Sequence, residues 1–203
     1  MCAVAVADVD GALAHLGCRA AVVTLDPASL ADVLATITTV GVAVGAEEQA
    51  EVVVTGLRRR LDDLARTVAG APAPSVLVLE WTEPAFSAGH WVPDLVSAAG
   101  GVAVLADPGG DSRRRTWDEV GGAQADVVVV APCGFHLDAA AAMATDLVAA
   151  RRLPAGAEVW AVDADAYVVR PGPRLVDGAE LLGAILHPDR LGQPDPGRAR
   201  RIA

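Results

Sequence analysis

Four short apolar runs, each followed by a polar or glycine-bearing loop and most by a helical pattern, constrain the larger part of this chain. The runs are VLVLE (76–80), VAVL (102–105), DVVVVAP (126–132) and EVWAVD (158–163). VLVLE is a continuous apolar run, the pattern of a strand covered on both faces. VPDLVSAAGG (92–101), a short stretch from Trp117, HLDAAAAMATDLVAARR (136–152) and RLVDGAELLGAILH (174–187) read as helices. Strands that alternate with helices form a parallel sheet with right-handed crossovers, so the expected class is α/β with a Rossmann-like lobe. The tail after Pro188 is rich in Pro, Gly and Arg and is expected to be disordered.

Upstream, residues 9–16 read as a short helix closed by Gly17, and AAVVTL (20–25) reads as a buried strand. Asp26-Pro27 is a good helix start, since Asp can cap and Pro suits the first helical position. Leu30, Val33, Leu34 and Ile37 then mark a helix ending near Gly45. A longer helix follows over 47–69. Val54, Leu57, Leu61, Leu64 and Val68 recur at helical spacing and draw one continuous apolar stripe. Arg58 with Asp62 and Arg59 with Asp63 are candidate ion pairs on its other face. At 1.5 Å rise per residue this helix is roughly 35 Å long, enough to bridge a small domain. GAPAP (70–74) has the composition of a linker.

The chain has 203 residues, 53% of them hydrophobic, which suits one domain, or one domain with part of another. Its formal charge is −10 and every basic residue other than His is Arg. An acidic chain without a basic stripe argues against nucleic acid as a partner and gives no electrostatic attraction to an anionic membrane. Cys2, Cys18 and Cys133 are an odd number with no CxxC, so neither a disulfide framework nor a zinc site is expected. Cys18 reads as a small core residue. The N-terminus lacks the basic region of a secretory signal, and no apolar run reaches the roughly 18 residues needed to cross a bilayer.

The aromatic residues are few and concentrated. Four Trp, two Phe and one Tyr are the whole supply. Trp81, Phe86, Trp91, Trp117, Phe135 and Tyr167 fall in the segments after the four strands, and Trp160 lies within one. Ligands of open parallel sheets sit outside the carboxyl ends of the strands. Several flat apolar faces there suit a large, partly apolar ligand, although aromatics in loops also plug the ends of a core. Cys133 stands at a strand end before Gly, where a nucleophile could sit, with His90 or His136 as its base. The same Pro-Cys-Gly reads equally as a tight turn, and no nucleophile-elbow motif accompanies it. His90 could ligate a metallo-macrocycle axially or simply form hydrogen bonds. No glycine-rich phosphate loop is present, which disfavours a nucleotide enzyme.

The stretches WTEPAFSAGHWVPDLVSAAGG, ADVVVVAPCGF and VDADAYVVRPGPRLVDGAELLGAILHP, in that order, resemble the C-terminal lobe of the cobalamin (vitamin B12) and iron-siderophore substrate-binding proteins of ABC importers. LGCRAAVVTLDPASLADVLATI resembles the end of the N-terminal lobe, so the likeness spans roughly residues 2–188. It implies two α/β lobes with a ligand clamped between them: residues 1–46 as a remnant of the N-terminal lobe, 47–70 as a bridging helix and 75–188 as the C-terminal ligand-binding lobe, with 189–203 as the tail. It implies cobalamin as the ligand, with an iron-siderophore or haem as alternatives on the same fold. Trp81, Phe86, His90 and Trp91 would line the cleft wall. Trp117 matches an aromatic position at the next short helix, Cys133, Gly134 and Phe135 the next lip, and Asp165, Tyr167 and Arg170 a polar and aromatic segment facing the ligand. Binding would be non-covalent, without catalysis, catalytic cofactor or protein-bound metal. The partner would be an importer permease, and the location outside the cytoplasmic membrane. The family has a complete N-terminal lobe before the bridging helix, whereas residues 1–46 precede it here. The expectation is a fragment or a degenerate lobe, with an open flank prone to association.

Overall fold

The computed structural model describes residues 6–203; Cys2 and the start of the N-terminal remnant lie outside the described residues. Helix α1 (Val6–His15) ends at Gly17, whose φ of 63° suits glycine. Residues 18–28 form no regular element, which corrects the strand expected at 20–25. Val22, Val23 and Leu25 are 43–45% exposed, and Cys18 is exposed rather than in the core. The reason is the lack of a neighbour. An apolar hexapeptide becomes a buried strand only when adjacent strands take up its N–H and C=O groups, and no described strand pairs with it.

Helices α2 (Leu30–Val44) and α3 (Glu47–Val68) form an antiparallel hairpin. Ser29, not Asp26, caps α2: its side chain accepts from the Asp32 N–H while the Asp32 carboxylate accepts from Ser29 N–H, a reciprocal capping box. Gly45, at φ 69°, ends the helix. The stripe read from the sequence buries Val54, Leu57, Leu64 and Val68. The expected pairs of Arg58 with Asp62 and Arg59 with Asp63 do not form. Asp63 pairs instead with Arg66. Arg60 reaches across to α8 (Arg174–Leu186), donating from Nε to Glu180 at 2.8 Å and pairing with Asp177. Exposed pairs of one helix contribute only a few tenths of a kcal/mol, too little to fix one partner over another. Arg190, in the short α9 (Pro188–Leu191), donates to the Thr67 and Ala69 carbonyls at 2.9 and 2.7 Å, filling acceptors left open at the end of α3.

The remaining elements in chain order are β1 (Ser75–Thr82), β2 (Ala85–Ser87), α4 (Val92–Ala98), β3 (Val102–Ala103), β4 (Arg113–Arg114), α5 (Trp117–Gly121), β5 (Val127–Val130), α6 (Leu137–Ala149), β6 (Glu158–Val162), α7 (Ala164–Tyr167), then α8, α9 and β7 (Ala199–Arg201). They build a seven-stranded sheet in the order β4-β2-β1-β5-β6-β7, with β3 on the first residues of β1. Strands β1, β3, β5 and β6 are parallel, as expected; β2, β4 and β7 are antiparallel additions. The two faces of the central strands feed two cores. Val76, Val78, Val127, Val129 and Val162 pack with side chains of α3, α4 and α8, and Leu77, Leu79, Val128, Val130 and Ala161 pack with α5 and α6. Each fully buried Val or Leu contributes on the order of 2 kcal/mol relative to exposure.

The tail is ordered, contrary to the expectation from its composition. Strand β7 pairs with β6, Ala199 is 2% exposed, and Arg200 and Arg201 pair with Asp138 and Glu158. Composition alone misleads here because β6 would otherwise present an open edge.

Candidate functional site

The carboxyl ends of β1, β3, β5 and β6 carry the loops that the sequence singled out. Trp81 is still within β1, and Phe86 of β2 is its cross-strand partner, which puts both side chains on one face. The Trp81 indole is 37% exposed, donates from Nε1 to Glu83 C=O at 2.8 Å, and meets the Phe135 ring at 5.6 Å and 51°. That tilted separation is a favourable aromatic contact. Phe135 follows a turn in which Pro132 C=O accepts the Phe135 N–H and Gly134 takes φ 80°, so glycine is required at that corner. Cys133 and Gly134 are exposed on this turn, and Cys133 N–H donates to Glu80 C=O at 2.9 Å.

The polar lip lies beside these rings. Asp165 N–H donates to Phe135 C=O at 3.3 Å, joining the loop after β5 to the loop after β6. The Asp165 carboxylate holds Arg170 through its Nε and Nη2 at 2.9 and 3.0 Å, while the arginine side chain stays 73% exposed. His136 stands between two carboxylates, with Nδ1 at 3.2 Å from Asp163 and Nε2 at 4.0 Å from Asp165. Tyr167 lies under Arg198 and is partly packed into the first core.

On the other side of the lip, His90 adopts φ 49°, and its ring lies 5.7 Å from that of Trp91. Its Nε2 is 3.4 Å from Asp111. Trp91 is half-buried against the first core and donates to Val168 C=O at 2.8 Å. Trp117 is not brought to the Trp81–Phe135 pair. It packs on the second core with Arg152 over its ring at 5.3 Å, between surface hollows of about 250 and 490 Å³.

Sequence reasoning missed Glu80. This carboxylate accepts from Gly89 N–H at 3.1 Å and from the Ser112 hydroxyl. Burial pushes its pKa up, opposed by those two bonds and by nearby His90. The available signal was a carboxylate inside a strand, at the end of the apolar run 76–79. Also missed was the His136–Asp163 pair, since the sequence treats His136 only as a possible base for Cys133. Among the described residues no group of three His, Cys, Asp or Glu side chains is arranged to hold a metal ion, and no helix is long and apolar enough to cross a membrane.

The arrangement is a row of rings flanked by a carboxylate–guanidinium pair, which can hold a flat, partly apolar ligand with polar rim groups. A family model described as periplasmic binding protein matches residues 7–162. A periplasmic heme binding protein from Pseudomonas aeruginosa shares 24% identity over 97% of this chain and 73% of its own, with TM-score 0.75. The periplasmic vitamin B12 binding protein BtuF of Vibrio cholerae shares 22% over 89% of this chain and 69% of its own, at 0.62. An ABC-type Fe3+-hydroxamate transport system protein from Saccharomonospora viridis shares 22% over 83% and 59%, at 0.64. No curated protein sequence matches. The structural likenesses carry the fold, and the family match over most of the chain carries the membership: this chain belongs to the periplasmic binding protein family.

Proposed function

We propose that this chain is the ligand-binding part of a non-enzymatic substrate-binding protein for cobalamin or a related metallo-macrocycle, which it hands to the permease of an ABC importer outside the cytoplasmic membrane. In this reading residues 75–188 supply one wall of a cleft, α3 bridges, and the residues before it derive from a second lobe. Helix α2 is nevertheless packed on the sheet-bearing body through Leu30 and Val33, which leaves the stretch before Ser29 as the part without a core. The exposed apolar segment at 18–25 supports that division, because it has the side chains of a core without a core around it. The observation that carries the ligand class is the Trp81–Phe135 pair at the carboxyl edge with Asp165 and Arg170 alongside. The rings would lie against a corrin-like plane, and the guanidinium and carboxylate would meet its amide side chains. Phe86, His90, Trp91, Trp117, Cys133, Gly134 and Tyr167 complete the proposed lining, with Trp117 at its far margin.

A second reading, haem as the ligand, rests on His90, whose imidazole lies on the lip beside Trp91 and could reach a metal axially. A ferric siderophore is the third ligand of this class. Calorimetric titration with cyanocobalamin, hemin and a ferric hydroxamate separates the three. Saturable heat with cyanocobalamin, lost in Phe135→Ala, is the expected result. A hemin Soret shift without cyanocobalamin binding moves the assignment to haem, and silence from all three overturns the macrocycle reading.

A further inference from the structure

We infer that Glu80 is a positioning residue for the His90 loop: its carboxylate is the fastening that holds residues 88–90 against residues 107–112 at the mouth of the cleft. This rests on the reading above only in giving His90 a ligand-facing place.

The argument begins in the sheet. The register of β1 against β2 shifts between Leu79 and Trp81, so Glu80 is the extra residue of a bulge. A bulge re-aims a side chain out of the regular alternation. Here it turns a carboxylate inward, where Oε1 accepts from Gly89 N–H and Oε2 from the Ser112 hydroxyl, one bond to each loop. The loops are then joined backbone to backbone. Asp107 N–H donates to Ala88 C=O at 3.0 Å, His90 N–H to Gly110 C=O at 2.6 Å and Gly109 N–H to His90 C=O at 3.1 Å. The approach leaves no room at Gly89, where a Cβ would lie 2.7 Å from Gly110 O and collide with the Ser112 backbone nitrogen. His90, held at both its N–H and its C=O, keeps a left-handed φ that a non-glycine residue rarely adopts. Glu80 also receives Cys133 N–H on its main-chain carbonyl, so one residue touches three loops, those of Gly89, Ser112 and Cys133.

A carboxylate buried for general packing would not need both oxygens spent on two different loops. Burial that raises its pKa is the cost of placing it there, and it fits a group kept for position.

The experiment is amide hydrogen–deuterium exchange on the ligand-free chain, followed by peptides covering 86–91 and 107–113. In Glu80→Ala both peptides exchange at least about tenfold faster, the scale of losing the two side-chain hydrogen bonds, while peptides from β5 and α8 are unchanged. Glu80→Gln, whose side-chain carbonyl still accepts from Gly89, stays near wild type. Ser112→Ala removes one bond without touching the bulge and serves if Glu80→Ala does not fold; it speeds peptide 107–113. Wild-type exchange in a folded Glu80→Ala or in Ser112→Ala, or a Gln variant as fast as Ala, overturns the inference. Titration of the same variants with hemin and cyanocobalamin keeps the two readings apart. Faster exchange with no binding of either probe by wild type leaves the fastening in place and removes the ligand assignment.

Discussion

At the scale of single residues, two groups carry opposite kinds of information. Phe135 is half-buried on a turn and contributes a ring where a core needs none, so its loss is felt by ligand more than by fold. Phe135→Ala or Trp81→Ala is expected to weaken cyanocobalamin binding about tenfold, the scale of one aromatic contact plus its buried area, with thermal stability little changed. Calorimetry with parallel melting curves checks this; equal losses in both would make the rings structural. Glu80 works the other way. Its pKa is raised in the folded state, so between the ordinary glutamate value and the raised one the native state holds a proton that the unfolded chain has released. The stability from that proton is present at low pH and lost as pH rises through the folded value. Glu80→Gln has no such loss, so its stability relative to wild type should climb with pH across that window. Urea unfolding from pH 4 to pH 8 measures the difference, and a flat difference would show that Glu80 is not buried as described.

At the scale of elements, legibility followed the neighbours that each segment could count on. The stripe on α3 and the apolar runs of β1, β5 and β6 were readable because their burial is written in their own periodicity. The antiparallel β2 and β4 were not, because two or three residues carry no period; they exist by pairing on β1 and on each other. The same logic explains both larger misreadings. Residues 20–25 have strand composition and no described partner, whereas residues 199–201 have tail composition and a waiting edge on β6. The ring positions were legible as a set, because clustering after strand ends is a property of sequence. Glu80 was not, because its role depends on a bulge and on two loops meeting. Removing residues 199–203 should therefore cost about 2–4 kcal/mol, from several ladder hydrogen bonds at about 1 kcal/mol each. That lowers the melting temperature by roughly 5–10 °C at this chain length. An unchanged melting temperature would mean that β7 is a passive addition.

At the scale of the whole molecule, apolar surface gathers upstream of the sheet. Leu16, Val22, Val23 and Leu25, with Val42, Val44 and Val52 of the α2–α3 hairpin, are 43–75% exposed. Exposed apolar side chains in such number favour association. Sedimentation velocity should show mass rising with concentration. Val23→Asp with Leu25→Asp should reduce that rise without lowering the melting temperature, and a wild-type chain that stays monomeric throughout would remove the idea. The fastenings of α3 have a mechanical consequence. Arg60 grips α8 at mid-helix and Arg190 of α9 grips the last carbonyls, so α3 is a beam bolted twice to the sheet-bearing body. Helix α2 is fastened to the same body, since Leu30 N–H donates to Asp94 of α4 at 2.8 Å and Leu30 and Val33 are buried in the first core. Torque from anything attached ahead of Ser29 would be stopped there, so the pivot of any closing motion belongs in the irregular stretch 18–28.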